Sequence, residues 1–163
     1  LYVCNVDENS VLKGNDYVNK VLEATKNEGA EVLVIATAIE AEIADLESID
    51  EQLLFLEEMG LDQPGVNKLI RSTYKLLNLQ TYFTAGEKEV RAWTIVNGTK
   101  APQAAAVIHT DFEKGFIRAE VISFKDFIEH KTELKVKEAG KLNIEGKDYI
   151  VNDGDVMHFR FNV

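Results

Sequence analysis

Two short apolar runs, Leu1 to Val6 and Glu31 to Ala36, dominate the first quarter of the chain. Each is bounded by polar residues, the pattern of strands buried in a parallel sheet. Between them, Asp7 to Gly14 is polar and loop-like. Asn15 or Asp16 is placed to cap a helix whose inward stripe is Val18, Val21, Leu22 and Thr25, and Asn27-Glu28-Gly29 ends it. A strand–helix–strand unit predicts parallel strands with a right-handed crossover. A second helix starts near Ala38, with Ile39, Ile43 and Leu46 inward and Glu40, Glu42, Asp45 and Glu47 as a solvated face; Thr37 suits its N-cap. Asp50 to Met59 reads as a further helix ending at Gly60. After a break at Gln63-Pro64-Gly65, Val66 to Leu77 is amphipathic, with Val66, Leu69, Ile70, Thr73, Tyr74 and Leu77 on one stripe.

At Leu79 the period changes from helical to alternating. Thr81 to Thr84 favour β structure, so a domain boundary is expected at about residues 78–84, dividing 1–80 from 81–163. Arg91 to Val96 and Phe116 to Ser123 are predicted strands. Between them Pro102 opens a helix through Ile108, since an N-terminal helical turn needs no N–H there. Phe124 to Glu129 reads as a short helical turn. Tyr149 to Val151 and Val156 to Phe161 read as closing strands joined by Asn152-Asp153-Gly154. Met157, Phe159 and Phe161 alternate with His158 and Arg160, giving one buried face and one polar face. Two hairpins around one helix is a β-grasp pattern.

Charge is unevenly spread. Of a net −10, residues 1–84 carry 6 Lys/Arg and 15 Asp/Glu, while residues 85–163 carry 12 and 13. That balance disfavours a generic DNA binder and makes the second half the better candidate surface for RNA. No stretch approaches the ~20 apolar residues that cross a bilayer, so no membrane partner is expected. Cys4 is the only cysteine, which fits a reducing, cytoplasmic setting. His109, His130 and His158 are far apart, without acidic or Cys partners at metal-site spacings, so no metal site is expected. No Gly-x-Ser-x-Gly elbow is present, and no catalytic residue is assigned.

The chemistry-bearing segment lies at the end of the first strand. Asn5-Val6-Asp7-Glu8 sits where an apolar strand meets a loop, the position where doubly wound sheets bind ligands. Guanine-reading proteins place Asn-Lys-x-Asp there; here Val6 replaces the Lys and Glu8 the final Asp. An Asn amide both donates and accepts, which suits the N6 amine and N7 of adenine. Val6 can lie on the purine face, with its backbone groups near the base edge. Thr37-Ala38-Ile39-Glu40 follows the second strand and resembles the second base-contacting loop of G-domain-like folds, which presents backbone N–H groups to the purine edge.

Four segments carry a family resemblance. They are Lys88-Glu89-Val90-Arg91-Ala92-Trp93-Thr94-Ile95, Gly98-Thr99-Lys100-Ala101-Pro102-Gln103-Ala104-Ala105, His109-Thr110-Asp111-Phe112-Glu113-Lys114-Gly115-Phe116, and Asp153 to Phe161. Together they closely resemble the C-terminal TGS domain of the YchF / Obg-like ATPase family, and Asn5-x-x-Glu8 resembles that family's Asn-x-x-Glu form. The resemblance implies an α/β plus α+β chain: a partial P-loop-type G domain (strand–helix–strand–helix) with a helical connection, then a ubiquitin-like β-grasp TGS domain. It implies a translation-associated ATPase that binds ATP or GTP with Mg²⁺ and associates with the ribosome, through its large subunit or the whole particle, and with RNA. Base contacts are expected at Asn5, Val6, Glu8, Thr37, Ala38 and Ile39. RNA or ribosome contacts are expected at Lys88, Arg91, Lys100, Lys114 and Arg118, and Trp93 is read as core with stacking on a base as its other role. No Gly-x-x-x-x-Gly-Lys-[Ser/Thr] loop occurs in these 163 residues, so the chain reads as part of a larger protein, itself inactive as an NTP hydrolase and without tightly held nucleotide. Two alternatives stand beside this reading. One is a free-standing ubiquitin-like adaptor. The other is an RNA-binding regulatory domain like that of a threonyl-tRNA or stringent-response synthetase.

Overall fold

The computed structural model describes residues 1–86 and 89–162. The chain divides into two compact units, Leu1–Leu76 and Leu77–Val163.

In the first unit, β1 (Tyr2–Asn5) and β2 (Val32–Ile35) pair in parallel with Asn5 opposite Ile35. They are linked by a 3₁₀ turn at Glu8–Ser10 and helix α1 (Asp16–Thr25). Asn15 caps α1, its side chain accepting from the Tyr17 and Val18 N–H groups. Val18 and Thr25 are buried as their spacing predicts, but Leu22 is exposed. Three helices follow: α2 (Thr37–Asp45), α3 (Ile49–Glu58) and α4 (Gly65–Leu76). Ser48 and Glu51 form a reciprocal capping box at the start of α3. Ala36, Ile39, Ile43 and Leu56 make a small core, with Val11, Phe55, Met59 and Leu61 packed on it.

Helix α4 departs from its amphipathic pattern. Val66, Ile70 and Leu77 are exposed, whereas Ser72 is buried and donates to Glu31 Oε1 at 2.8 Å. Leu69, Thr73 and Tyr74 of the stripe are half-buried, and Ser72 adds a polar link to this unit.

The second unit is a five-stranded mixed sheet ordered β4-β3-β7-β5-β6, with β3 (Leu79–Ala85), β4 (Val90–Val96), β5 (Phe116–Ile122), β6 (Asn143–Glu145) and β7 (Val156–Phe161). Strand β7 runs parallel to β3 and antiparallel to β5. Helix α5 (Ala101–Ile108) and the short α6 (Thr110–Lys114) join β4 to β5, while α7 (Phe124–His130) and α8 (Glu133–Glu138) join β5 to β6. Alternation along the strands serves two cores. Tyr82, Ile95, Phe116, Ala119, Val121, Met157 and Phe159 meet Ala101, Ala104 and Ala105 of α5. On the other face Ile122 and Val156 meet Val136 of α8, with Phe83, Phe127 and Leu142 around them. This is the β-grasp arrangement.

The expected closing hairpin needs correction. Tyr149 to Val151 does not form a hairpin with β7; Ile150 makes only an isolated bridge to Lys100. The Val151 N–H donates to the Thr99 carbonyl, and buried Gln80 Nε2 donates to the Val151 carbonyl. Those bonds turn the segment toward β3 and α5. Buried Asp155 then accepts from the Tyr149 hydroxyl (2.7 Å) and the Asn152 N–H (2.9 Å), folding 149–155 into a closed turn. The second partner of β5 is instead β6, which carries one large apolar side chain, Ile144, exposed to solvent. Its three residues are too few for alternation to announce it.

Glycine is demanded by close approach at two positions. A Cβ on Gly115 would lie 1.8 Å from the Asn162 carbonyl oxygen, and one on Gly65 would lie 2.9 Å from both Ile35 and Glu40.

Candidate nucleotide-base site

The C-terminal end of β1 and the start of α2 are joined by one side chain. Asn5 Oδ1 accepts the Thr37 backbone N–H at 3.0 Å and the Thr37 hydroxyl at 3.1 Å. The backbone donor fixes which end of the amide is oxygen. Both carbonyl lone pairs are therefore used, and among the described residues Nδ2 keeps no partner. In this arrangement the acceptor function of Asn5 is internal and its Nδ2 donors are left over.

Thr37 is not the N-cap. Ala36 holds that position in extended conformation without a side-chain bond, and Thr37 is the first helical residue. The Thr37 N–H is taken by Asn5. The next two N–H groups, of Ala38 and Ile39, lie in a first helical turn that supplies them no acceptor. Thr37 and Ala38 are exposed, while the Ile39 side chain is 1% exposed and belongs to the core. Ile39 can therefore address a ligand only through its backbone.

The Val6 N–H donates to the Ile35 carbonyl at 2.9 Å, continuing the β1–β2 pairing by one residue. Its carbonyl has no partner among the described residues. Asp7 is committed to the loop, since its carboxylate accepts from the Ser10 N–H (3.1 Å) and hydroxyl (2.9 Å). Glu8 is exposed in the 3₁₀ turn. A carbonyl acceptor at Val6, amide donors at Asn5 and N–H donors at Ala38 and Ile39 thus surround the strand ends.

Glu40 is not part of a solvated face. Its Oε1 accepts the Gly65 N–H at 2.6 Å and its Oε2 the Val66 N–H at 3.0 Å, so it caps α4 from another helix. Sequence spacing hides this link, because the partners lie 25 and 26 residues apart.

The expected RNA-contact residues are dispersed over the second unit. Arg91 lies over the Trp93 ring at 4.3 Å and 3.9 Å from Glu89. Lys100 pairs with Asp148 at 2.7 Å and holds its carboxyl below the usual range. Lys114 is 3.7 Å from Asp111 at the end of α6. Arg118 is on β5, 3.8 Å from Glu120. Lys88 lies outside the described residues. Arg160, which the sequence did not single out, binds Glu120 through two nitrogens at 3.2 and 3.0 Å and depresses its pKa. Glu120, Glu133 and His158 also converge, their ligand atoms within 4.8 Å of one another. They come from β5, α8 and β7, which is why spacing did not reveal them, and the two guanidiniums at Glu120 already balance their charge.

Residues 79–162 match the YchF-GTPase_C family model, described as "Protein of unknown function (DUF933)". The chain belongs to the YchF family. It is 61% identical over 163 residues to a Pasteurella multocida protein named "Ribosome-binding ATPase YchF", covering all of this chain and 44% of that protein. A Bacillus subtilis protein of the same name is 53% identical, with 45% of its length covered. The chain thus spans less than half the length of these YchF relatives. The solved Schizosaccharomyces pombe YchF GTPase superposes with a TM-score of 0.86 at 36% identity, over 98% of this chain and 43% of that one. A GTP binding protein from Pyrococcus horikoshii shares the fold, with a TM-score of 0.64 at 17% identity, over 98% of this chain and 45% of that one. Membership in the YchF family places the partial G-type unit and the β-grasp unit in one protein class. No helix among the described residues is long and apolar enough to cross a membrane.

Proposed function

We propose that this chain supplies the purine-reading loops and the TGS module of a cytoplasmic, ribosome-binding ATPase. Residues 1–80 are then the C-terminal part of its nucleotide domain and 81–163 its TGS domain. The observation that carries the reading is the Asn5–Thr37 clamp, which brings both base-facing loops together at adjacent strand ends. The relatives' shared name, "Ribosome-binding ATPase YchF", supplies the activity and the partner.

The donor set fits adenine. The Val6 carbonyl can accept from the N6 amine, and Asn5 Nδ2 with the Ala38 and Ile39 N–H groups can donate to ring nitrogens. Guanine would set its O6 acceptor against the Val6 carbonyl. Glu8, exposed in the 3₁₀ turn, excludes guanine or orders the loop. The triphosphate and Mg²⁺ fall to residues outside this chain, where the bound nucleotide supplies the bond that is hydrolysed. The ribosome and its RNA are met by the TGS module, with Lys88, Arg91, Lys100, Lys114 and Arg118 as contacts.

Competition binding on the full-length protein tests the base assignment. ATP displaces a fluorescent adenine nucleotide at a concentration about tenfold below that of GTP; equal displacement removes the adenine reading. Ribosome co-sedimentation tests the other half. Lys114→Glu combined with Lys100→Glu reduces pelleting of the full-length protein, and undiminished pelleting discards these contacts.

A further inference from the structure

Trp93 is the chain's only tryptophan, and it is half-buried at the edge of the larger core. Its Nε1 donates to Thr84 Oγ1 at 2.9 Å, which fixes the plane of the indole. Arg91 lies over the ring. Beside it opens a cavity of about 560 Å³, walled by Trp93, Ile108, Phe112, Met157, Phe159 and Phe161. Thr84, Glu89 and His158 also line it. Phe112 and Phe161 are stacked with ring centroids 3.8 Å apart, so one wall is aromatic. That volume and lining are those of ligand sites, mostly apolar with a few placed polar groups.

We propose that this cavity receives one unpaired base of a single-stranded RNA, with Arg91 meeting the neighbouring phosphate. The proposal deepens the RNA-contact reading of the TGS module and rests on it. The aromatic lining, not charge, favours this occupant. Residues 85–163 carry 12 basic and 13 acidic side chains, and each described contact cation lies within 4 Å of a carboxylate. Phosphate attraction alone is therefore weak here, and stacking on aromatic rings supplies affinity that net charge does not control. A base presents two π-faces to the rings and polar edges to Thr84, Glu89 and His158, and its phosphate is matched by Arg91.

Because Trp93 is unique, its emission reports the cavity directly. The 163-residue chain is titrated with a six-nucleotide oligoadenylate, an abasic hexamer of equal charge, and adenosine monophosphate. Binding is followed in parallel by anisotropy of an end-labelled oligoadenylate. The oligoadenylate quenches Trp93, while the abasic hexamer binds about tenfold more weakly and does not quench. Phe112→Leu, which keeps an apolar side chain but removes the ring, weakens binding about tenfold, and Arg91→Gln lowers the salt slope by about one. If Phe112→Leu fails to fold, Ile108→Phe, which fills the cavity, abolishes the quenching instead. Anisotropy binding without a change in Trp93 emission, or equal binding of the abasic hexamer, overturns the base insertion and leaves the RNA-contact reading standing. Quenching by the monophosphate at hexamer concentrations assigns a free-nucleotide site and overturns the RNA occupant. Absence of anisotropy binding by either oligomer overturns the RNA reading itself.

Discussion

Asn5 and Thr37 are bound to each other twice through a single oxygen: Asn5 Oδ1 accepts both the backbone N–H and the hydroxyl of Thr37, at 3.0 and 3.1 Å. The bonds tie the end of β1 to the start of α2 across 32 residues of chain. The clamp orients Nδ2 away from Thr37, and the amide donors follow from that.

Clamping and base reading can be separated by substitution. Asn5→Asp keeps an acceptor for Thr37 but loses the Nδ2 donors. In the full-length protein it is expected to weaken ATP binding about tenfold while leaving the melting temperature nearly unchanged. Asn5→Ala lowers both. Thr37→Val keeps the backbone donor and costs only about threefold in affinity. Unchanged ATP affinity in Asn5→Ala takes Asn5 out of the site.

Glu40 holds the first turn of α4 with both carboxylate oxygens. Glu40→Gln leaves one of the two N–H groups facing an amide, and about 1–2 kcal/mol of stability is expected to go. Glu42→Gln, on an exposed position of the same helix, serves as the control and stays within about 0.5 kcal/mol. Urea unfolding followed by circular dichroism measures both, and equal midpoints would show that the cap contributes nothing.

Gly115 admits no side chain beside the end of β7. Its carbonyl accepts the Asn162 N–H at 2.8 Å, and a methyl group at its Cα would overlap the Asn162 carbonyl. Gly115→Ala is expected to cost about 3 kcal/mol, because either this bond or the local β5–β7 register must give way. A thermal melt within a degree or two of the parent would contradict the close approach.

Glu120 supplies a pH dependence with a definite sign. Hydrogen bonds from Arg160, then the charges of Arg160, His158 and Arg118, hold its carboxyl below the ordinary glutamate value. The stabilisation is therefore complete above the unfolded-state value of about 4.3 and is lost as pH falls through the lower folded value. Arg160 is half-exposed, so solvent screening keeps the contribution of the pair modest. Melting temperatures of the parent and Arg160→Leu should differ at pH 7 and converge as pH falls through the lowered Glu120 value. A gap that stays constant with pH would remove Glu120 from the account.

Much of this protein is local in origin. The strands at Leu1 to Val6 and Glu31 to Ala36, the Asn15 cap, the inward Ile39 and Ile43 and the change of period at Leu79 all follow from spacing and side-chain type. Burying an apolar face imposes a period that any reader of the chain can see. The motifs at Asn5 and Thr37, and the segments resembling a TGS domain, were legible for a similar reason: each is a short contiguous run. What the chain alone could not disclose was pairing between distant polar groups. The use of Asn5 Oδ1 by Thr37, the capping of α4 by Glu40, the turning of Tyr149 to Val151 away from β7 and the cavity beside Trp93 all depend on atoms brought together from separate elements. Periodicity records whether a side chain is buried. Hydrogen-bond geometry, which acts over about 3 Å and only in certain directions, decides what it meets there, and that is set when the elements pack.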